Sequence, residues 1–241
     1  MSSAVAELAP TGVLRAAINL GNFLLVTGRA ANGDPQGVAP DMAAAIAERL
    51  GVAVQYAPFA RPSALADAAD DGVWDIGLIG AEPARAEKIA FTAAYAEIEA
   101  AYLVQPGSPL ARIEDVDQPG VRIAVLARSA YDLWLGRNIR FATLVHSDSA
   151  DGATELFTDG NAEVLAGLRP GLITEVERHP GARILDGKFT AVQQAIGTQR
   201  RNTVGATFLA AFVEEAKASG LVAHLIARHR MAGRLAVAPP A

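Results

Sequence analysis

The sequence predicts an α/β fold with mostly parallel sheets, and two observations lead to this prediction. Segments with the pattern of strands alternate along the chain with segments that start and stop as helices do. One short apolar run, Ile76 to Ile79, has the composition of a strand buried on both faces, as in parallel sheets. The 241 residues suit one large domain or two lobes, and either can bury a sizeable core.

Composition argues against several classes of function. The net charge of -5 is modest and does not fit an electrostatic nucleic-acid binder. The chain has no cysteine, so thiolate metal sites, disulfides and cysteine nucleophiles are absent. No stretch approaches the length of a membrane span. The four histidines lack metal-ligand spacing and no phosphate loop or serine-hydrolase motif occurs, so we expect no metal, cofactor or catalytic residue.

In the first half of the chain, turn and capping residues delimit the elements. Gly51 closes one predicted helix, and Asp70-Asp71-Gly72 ends another. The predicted segments are strand 13–18, helix 40–50, strand 52–59, helix 62–69, strand 74–79 and a long strand 95–105. Asn19, in the loop after the first strand, and Gly80, where the third strand stops, are candidate ligand-binding residues.

The second half repeats the alternation. The predicted segments are strand 121–127, a helix to about 140, strand 141–147, helix 149–158, strands 162–168, 182–185 and 191–196, loop 197–202, and helices 203–219 and 221–230. Gln193 and Gln194 lie in the middle of strand 191–196, so one of them faces inward and needs a partner. A ligand or the other long strand would satisfy it, and Gln193 is our candidate. We expect residues 236–241 to fray.

Arg85 is the leading candidate for a ligand-binding residue. Pro83 tolerates only a turn or the first turn of a helix, so Arg85 lies just past the carboxyl end of a strand. Open α/β sheets bind their ligands there, and a guanidinium suits a carboxylate or another planar oxyanion. The alternative is a surface arginine paired with Glu82 or Glu87.

The segment around Arg85 resembles a known family. Pro-x-Arg-Ala-x-Lys-Ile-x-Phe-Thr from Pro83, followed by Tyr95 and a second strand, is similar to the core signature of the bacterial family 3 extracellular solute-binding proteins. These are the type II periplasmic binding proteins of ABC importers. The segment from Gly37 to Met42 resembles another motif of that family. The resemblance implies a two-lobed periplasmic-binding-protein-like type II fold with a ligand cleft between the lobes, and a carboxylate clamp at Arg85.

The resemblance also implies a division into lobes. Lobe 1 would comprise residues 1–104 plus 197–241, and lobe 2 residues 105–196. Two crossover strands, near 98–105 and 190–196, would form the hinge, and its motion would close the lobes over the ligand.

A second candidate site lies at the start of the helix after strand 121–127. The Ser129 hydroxyl and the free N–H groups of the first helical turn would form an anion site. Ser129 can equally be the N-cap, and both roles can hold together. Tyr131 belongs to the same turn and is also a candidate. The family usually has glycine where this chain has Arg128.

The end of strand 162–168 departs from the family pattern. In amino-acid-binding members this strand ends at an Asp that holds the ligand's α-ammonium, whereas here it runs into Arg169. A second arginine suits a second oxyanion, because a buried ammonium needs an anionic partner. An amino acid is therefore disfavoured unless Glu97 or Glu99, on one face of strand 95–105, supplies the charge. Arg169 can equally be a surface residue at the start of a helix.

These observations predict a monomeric substrate-binding protein of an ABC-type transporter, with a small carboxylate-containing solute as ligand and a cognate permease as partner. One alternative is an enzyme similar to the cyclohexadienyl dehydratases, with Glu97 or Glu99 as general acid. Another is a cytoplasmic ligand sensor. The resemblance implies a periplasmic location, but residues 1–10 lack the pattern of a signal peptide, so we expect a cytoplasmic protein if Met1 is native.

Overall fold

The computed structural model describes residues 3–241. The helices of this part of the chain are α1 Ser3–Leu8, α2 Val38–Leu50, α3 Pro62–Asp67, α4 Pro83–Ala86, α5 Ala130–Asn138, α6 Ala150–Thr158, α7 Arg169–Arg178, α8 Thr203–Ala218 and α9 Leu221–Arg228. The strands are β1 Val13–Asn19, β2 Gly28–Arg29, β3 Pro35–Gln36, β4 Ala53–Phe59, β5 Ile76–Gly80, β6 Ile89–Phe91, β7 Ala96–Val104, β8 Arg122–Leu126, β9 Thr143–Ser147, β10 Val164–Leu168, β11 Arg183–Ile184, β12 Thr190–Gln199 and β13 Ala236–Val237.

The chain divides into two compact units. Unit 1 is formed by the chain up to Glu97 and by Gln193–Ala241, and unit 2 is Ile98–Val192. The chain passes from one unit to the other inside β7 and returns inside β12. The boundaries expected from the sequence, after residues 104 and 196, fall later in these same two strands.

The sheet of unit 1 is parallel at its centre. β1 lies between β4 and β5 and is parallel to both, with Ala17 opposite Ala57 on one side and Gly77 on the other. β12 joins the free side of β5 in the antiparallel direction. All five residues of β5 are buried, which explains its continuous apolar run. The α/β prediction is confirmed. The parallel pattern changes to antiparallel where the long strand β12 pairs with β5.

Unit 2 has the same plan. β8 lies between β9 and β10 and is parallel to both, with Val125 opposite His146 and Ala124 opposite Leu165. β10 runs antiparallel to β7. Apolar side chains pack on the two faces of this sheet, among them Val125 and Leu135 in one cluster and Phe157 in another.

The predicted loop 197–202 is wrong at its start, because β12 continues to Gln199. β6, which the sequence analysis did not predict, pairs with this extension and places Phe91 opposite Gly197. A Cβ on Gly197 would lie 2.2 Å from Ile89 Cγ2, so the close approach requires glycine. The last three residues of β12 are therefore in a strand because they pair with β6, which is distant in the sequence.

The carboxyl-terminal tail also differs from the expectation that it frays. β13 pairs with β7, with Val237 opposite Ala96. The Lys217 Nζ then donates to the Pro239 carbonyl at 2.7 Å. Within residues 3–241 no helix is both long and apolar enough to cross a membrane. The expectation that concerns Met1 lies outside the described residues.

Candidate functional site

Arg85 is fixed at the carboxyl end of β5 by the local fold. β5 ends at Gly80, and α4 starts at Pro83, whose fixed φ and missing N–H suit the first helical position. Arg85 lies in this single helical turn, is 6% exposed, and donates from Nη1 to the Gly80 carbonyl at 2.7 Å. A charged side chain is almost never this buried unless it has partners inside the protein. Arg85 is therefore not the surface side chain of the alternative interpretation.

β12 brings Gln193 to the same end of β5. Gln194 lies opposite Gly80, and the Ala81 N–H donates to the Gln193 carbonyl at 2.8 Å. The Gln193 side chain donates from Nε2 to the Glu97 carboxylate at 2.9 Å. This bond joins the two long strands, a role that the sequence suggested for the inward-facing glutamine. The choice of Gln193 as the inward-facing residue is wrong, because Gln194 is the buried one of the pair at 3% exposure. Three predicted residues, Arg85, Gly80 and Gln193, thus lie at one end of the unit 1 sheet.

Glu97 belongs to this group although Glu99 was the preferred candidate. Glu97 is partly buried, and its carboxylate accepts the hydrogen bond from Gln193. A partly buried carboxylate with an amide partner can still accept a hydrogen bond from a cation on its other oxygen.

Asn19 ends β1 at the same edge of the sheet as Gly80. Its Oδ1 accepts the Gly21 N–H at 3.1 Å, which is a local turn typical of asparagine. Gly21 needs its small size, because a Cβ there would lie 2.8 Å from the Ala60 carbonyl oxygen. The Asn19 side chain therefore shapes the loop after β1.

Ser129 begins α5 as its N-cap. Its Oγ accepts the Asp132 N–H at 3.1 Å, and the residue is 3% exposed. Tyr131 lies beside it: burial raises the pKa of the Tyr131 hydroxyl to about 12, and a hydrogen bond with Ser129 opposes part of that rise. Both predicted residues of this turn are thus close to one another in unit 2.

Asp132 was missed by the sequence analysis. It is 6% exposed, its Oδ2 accepts the Arg128 N–H at 2.7 Å, and its Oδ1 lies 2.9 Å from His146 Nε2. Since an ionised carboxylate only accepts, Nε2 is the protonated ring nitrogen. The spacing Ser-x-x-Asp from Ser129 resembles a capping box and is the signal that points to Asp132. Nothing in the sequence links His146 to it.

Arg169 has an anionic partner inside unit 2. Its Nε donates to Glu99 Oε2 at 2.7 Å, and its Nη2 donates to the Gly187 carbonyl. Lys188 Nζ lies 3.6 Å from the other oxygen of Glu99. Glu99 therefore lies between two cations, and its charge compensates that of Arg169. The argument that Arg169 favours a second oxyanion in the ligand loses most of its support.

A metal centre has no support in the described part of the chain. Residues 3–241 contain no group of three or more histidine, aspartate and glutamate side chains that could hold an ion. Unit 1 contains the buried Arg85 guanidinium and the partly buried Glu97 carboxylate, and unit 2 separately contains the first turn of α5. Guanidinium and carboxylate groups are able to form hydrogen bonds and ion pairs with polar molecules.

Comparison with protein families gives a match over most of the chain. The model of the bacterial extracellular solute-binding proteins, family 3, matches residues 23–231. The chain belongs to this family. The resemblance around Arg85 is thereby confirmed, and family 3 membership supports a substrate-binding role with a small-molecule ligand and an ABC transporter as partner. Members of family 3 are periplasmic.

Solved structures show the same fold for this family 3 protein. A mutant of ArgBP from T. maritima is 21% identical with a TM-score of 0.73, over 94% of this chain and 99% of that one. A putative binding component of an ABC transporter from Wolinella succinogenes, complexed with lysine, is 18% identical with a TM-score of 0.74, over 90% and 95%.

A third similar structure is an ancestral amino-acid-binding protein described as a precursor of cyclohexadienyl dehydratase. It is 19% identical with a TM-score of 0.73, over 93% of this chain and 98% of that one. A comparison with curated proteins gave no match. Identities this low establish the fold alone, which is the two-lobed type II periplasmic-binding-protein fold.

Proposed function

We propose that this chain is the substrate-binding protein of an ABC transporter and that its solute carries a carboxylate bound by Arg85. The observation that carries the proposal is the 6% exposure of Arg85, whose guanidinium is oriented by the Gly80 carbonyl at 2.7 Å. A guanidinium held in one orientation can bind both oxygens of a carboxylate. Removal from water strengthens that ion pair.

Glu97 decides whether the second polar group of the solute is better an ammonium or a second carboxylate. An amino acid can place its ammonium on the Glu97 carboxylate, which has the neutral amide of Gln193 as its partner. A dicarboxylate needs a further cation, and Arg169 is already compensated by Glu99. We therefore include amino acids in the proposed ligand class, although the sequence analysis disfavoured them.

Three parts of the earlier prediction stay predictions. These are the closure of two lobes over the ligand by a hinge, the monomeric state and the cognate permease. The cytoplasmic sensor also stays an alternative, and capture of a partner protein only by the ligand-bound form would distinguish it.

The first test is a thermal-shift screen of the purified protein against amino acids, dicarboxylates, other small organic acids and polyamines. A ligand at 100 times its Kd adds about 2.7 kcal/mol to the free energy of unfolding, which such a screen detects. A hit among compounds with a carboxylate supports the proposal. Stabilisation by polyamines alone would remove it.

A dehydratase-like enzyme is the second candidate, favoured by the likeness to the dehydratase precursor. Its chemistry needs a general acid near the substrate. Glu99 lies between Arg169 and Lys188, so Glu97 is the better placed carboxylate for that role. Turnover of a cyclohexadienyl carboxylic acid, followed by the absorbance of its aromatic product and lost in Glu97→Gln, would establish the enzyme.

A further inference from the structure

Arg128 has a backbone conformation that is unusual for its residue type. Its φ is 57°, in the left-handed region, which an L-residue with a Cβ adopts at a cost and glycine adopts freely. Arg128 links the end of β8 to Ser129, the N-cap of α5. An unfavourable conformation at such a position persists only where surrounding groups enforce it.

Asp132 supplies the enforcing contacts from the first turn of α5. Its Oδ2 accepts the Arg128 N–H at 2.7 Å, a hydrogen bond strengthened by the charge of the carboxylate. Its own N–H donates to Ser129 Oγ at 3.1 Å, and the Leu133 N–H donates to the Ser129 carbonyl at 3.0 Å. The carboxylate therefore closes a hydrogen-bonded ring around Ser129.

β9 fixes Asp132 in turn. His146 Nε2 lies 2.9 Å from Asp132 Oδ1, so each oxygen of this 6% exposed carboxylate has its own donor. The Ala127 N–H donates to the Ser147 carbonyl at 2.8 Å, which ties the start of the turn to the same strand. The turn is thus held from α5 and from β9.

We propose that Asp132 is a positioning residue for ligand binding: its carboxylate holds residue 128 in the left-handed conformation and so fixes Ser129 and the first turn of α5. The inference rests on the proposed function and on the sequence prediction that Ser129 and the first turn of α5 contribute to ligand binding. Asp132 itself contacts the protein only. A glycine at residue 128 would make the carboxylate dispensable for the shape of the turn, whereas arginine requires it.

Two double variants test this directly. Asp132→Leu removes both acceptor oxygens at similar side-chain size, whereas asparagine would keep one carbonyl oxygen for the Arg128 N–H. Asp132→Leu is combined with Arg128→Ala in one protein and with Arg128→Gly in the other. Both proteins lack the Arg128 guanidinium and the Asp132 carboxylate, and they differ from each other only by one Cβ at residue 128. Crystal structures of both give φ at residue 128 without any ligand.

We expect φ to become negative in the alanine protein and to stay positive in the glycine protein. A positive φ at residue 128 in both proteins would overturn the inference, because the turn would then hold without Asp132. A negative φ in both proteins would also overturn it. Glycine at residue 128 would then not keep the turn in its shape when the carboxylate is absent, contrary to the inference.

Binding of L-arginine, L-glutamine and succinate by calorimetry gives the functional readout. For whichever probe binds the unmodified protein, we expect an affinity about tenfold weaker in the alanine protein than in the glycine protein. Equal affinities, with φ changed only in the alanine protein, would show that Asp132 has a structural role alone. If none of these three probes binds the unmodified protein, the strongest carboxylate hit of the thermal-shift screen replaces them, and the crystal structures decide independently whether Asp132 fixes the turn.

Discussion

Glu97 and Gln193 are joined by a hydrogen bond of 2.9 Å at the point where the chain changes units. Glu97 is the last residue of unit 1 before the chain enters unit 2, and Gln193 is the first after it returns. The Gln193 carbonyl also accepts from Ala81, directly after β5. A polar contact of the two long strands thus lies beside the end of the strand that leads to Arg85.

Glu97→Gln separates the two ligand classes. If the solute is an amino acid, loss of the carboxylate removes a charge-assisted hydrogen bond of about 1.5–3 kcal/mol, and affinity falls at least tenfold. Calorimetry against the amino acid and against a dicarboxylate measures this. Glu48→Gln, at an exposed carboxylate of α2, is the control and should leave affinity unchanged. Unchanged amino-acid binding in Glu97→Gln would exclude Glu97 as the ammonium partner.

Arg85→Ala should abolish binding of any carboxylate ligand while leaving the protein folded. Arg85→Lys should restore only part of the affinity, because an ammonium lacks the two parallel donors of a guanidinium. The ligand-induced thermal shift and the circular dichroism spectrum are the measurements. Arg49→Ala is the matched control, since Arg49 is an exposed partner of Glu215. Retained affinity in Arg85→Ala would contradict the carboxylate clamp.

Asp75→Ala should be the most destabilising change among the ion pairs of unit 1. Asp75 is 3% exposed and accepts from the Arg15 backbone N–H at 2.9 Å and from Arg15 Nη2 at 2.6 Å. Removal of one partner of a buried pair costs about 3–5 kcal/mol of unfolding free energy. Glu215→Ala, in an exposed pair, should lower the unfolding free energy far less, because water screens that pair. Urea unfolding of both variants checks the contrast, and similar losses would contradict it.

Gly197→Ala tests the contact that extends β12. The new Cβ would lie 2.2 Å from Ile89 Cγ2, and overpacking of this kind costs about 1–3 kcal/mol. Gly136→Ala, in α5 with no atom within 4 Å of the added Cβ, should instead stabilise by about 0.5–1 kcal/mol. Opposite shifts of the urea midpoint are expected. A neutral Gly197→Ala would mean that β6 can move aside.

Asp117 should make unit 2 sensitive to acid. Burial opposes its ionisation, but backbone N–H groups of Ala142, Phe141 and Arg140 donate to the carboxylate and lower its pKa. A lowered folded pKa contributes stability that is complete above the unfolded value, about 3.9, and is lost as pH falls through the folded value. The difference in unfolding free energy between the unmodified protein and Asp117→Asn should therefore be constant near neutral pH and shrink below about pH 4. A constant difference down to pH 2 would contradict this.

Rules that involve only neighbouring residues were sufficient to predict many of the helices and strands and part of the candidate site. The apolar run of β5, the proline at the first position of α4 and the serine before α5 each act through neighbouring residues. The sequence therefore placed Arg85 after a buried strand and identified Ser129 as an N-cap. The Asp132 capping spacing was also present locally, although it was not used.

Contacts between distant residues were decided by the tertiary structure. Arg169 and Glu99 are 70 residues apart, and their ion pair changed the ligand class that the arginine had suggested. His146 reaches Asp132 because β9 lies beside β8, and β12 extends to Gln199 because β6 pairs with it. The hydrophobic periodicity of a segment indicates whether it is a helix or a strand and which face is buried. It does not indicate which other segment packs against that face. Sequence thus determined most of the long elements and the position of Arg85 after β5, whereas the packing of distant elements determined β6, the end of β12 and the ion pair that neutralises Arg169.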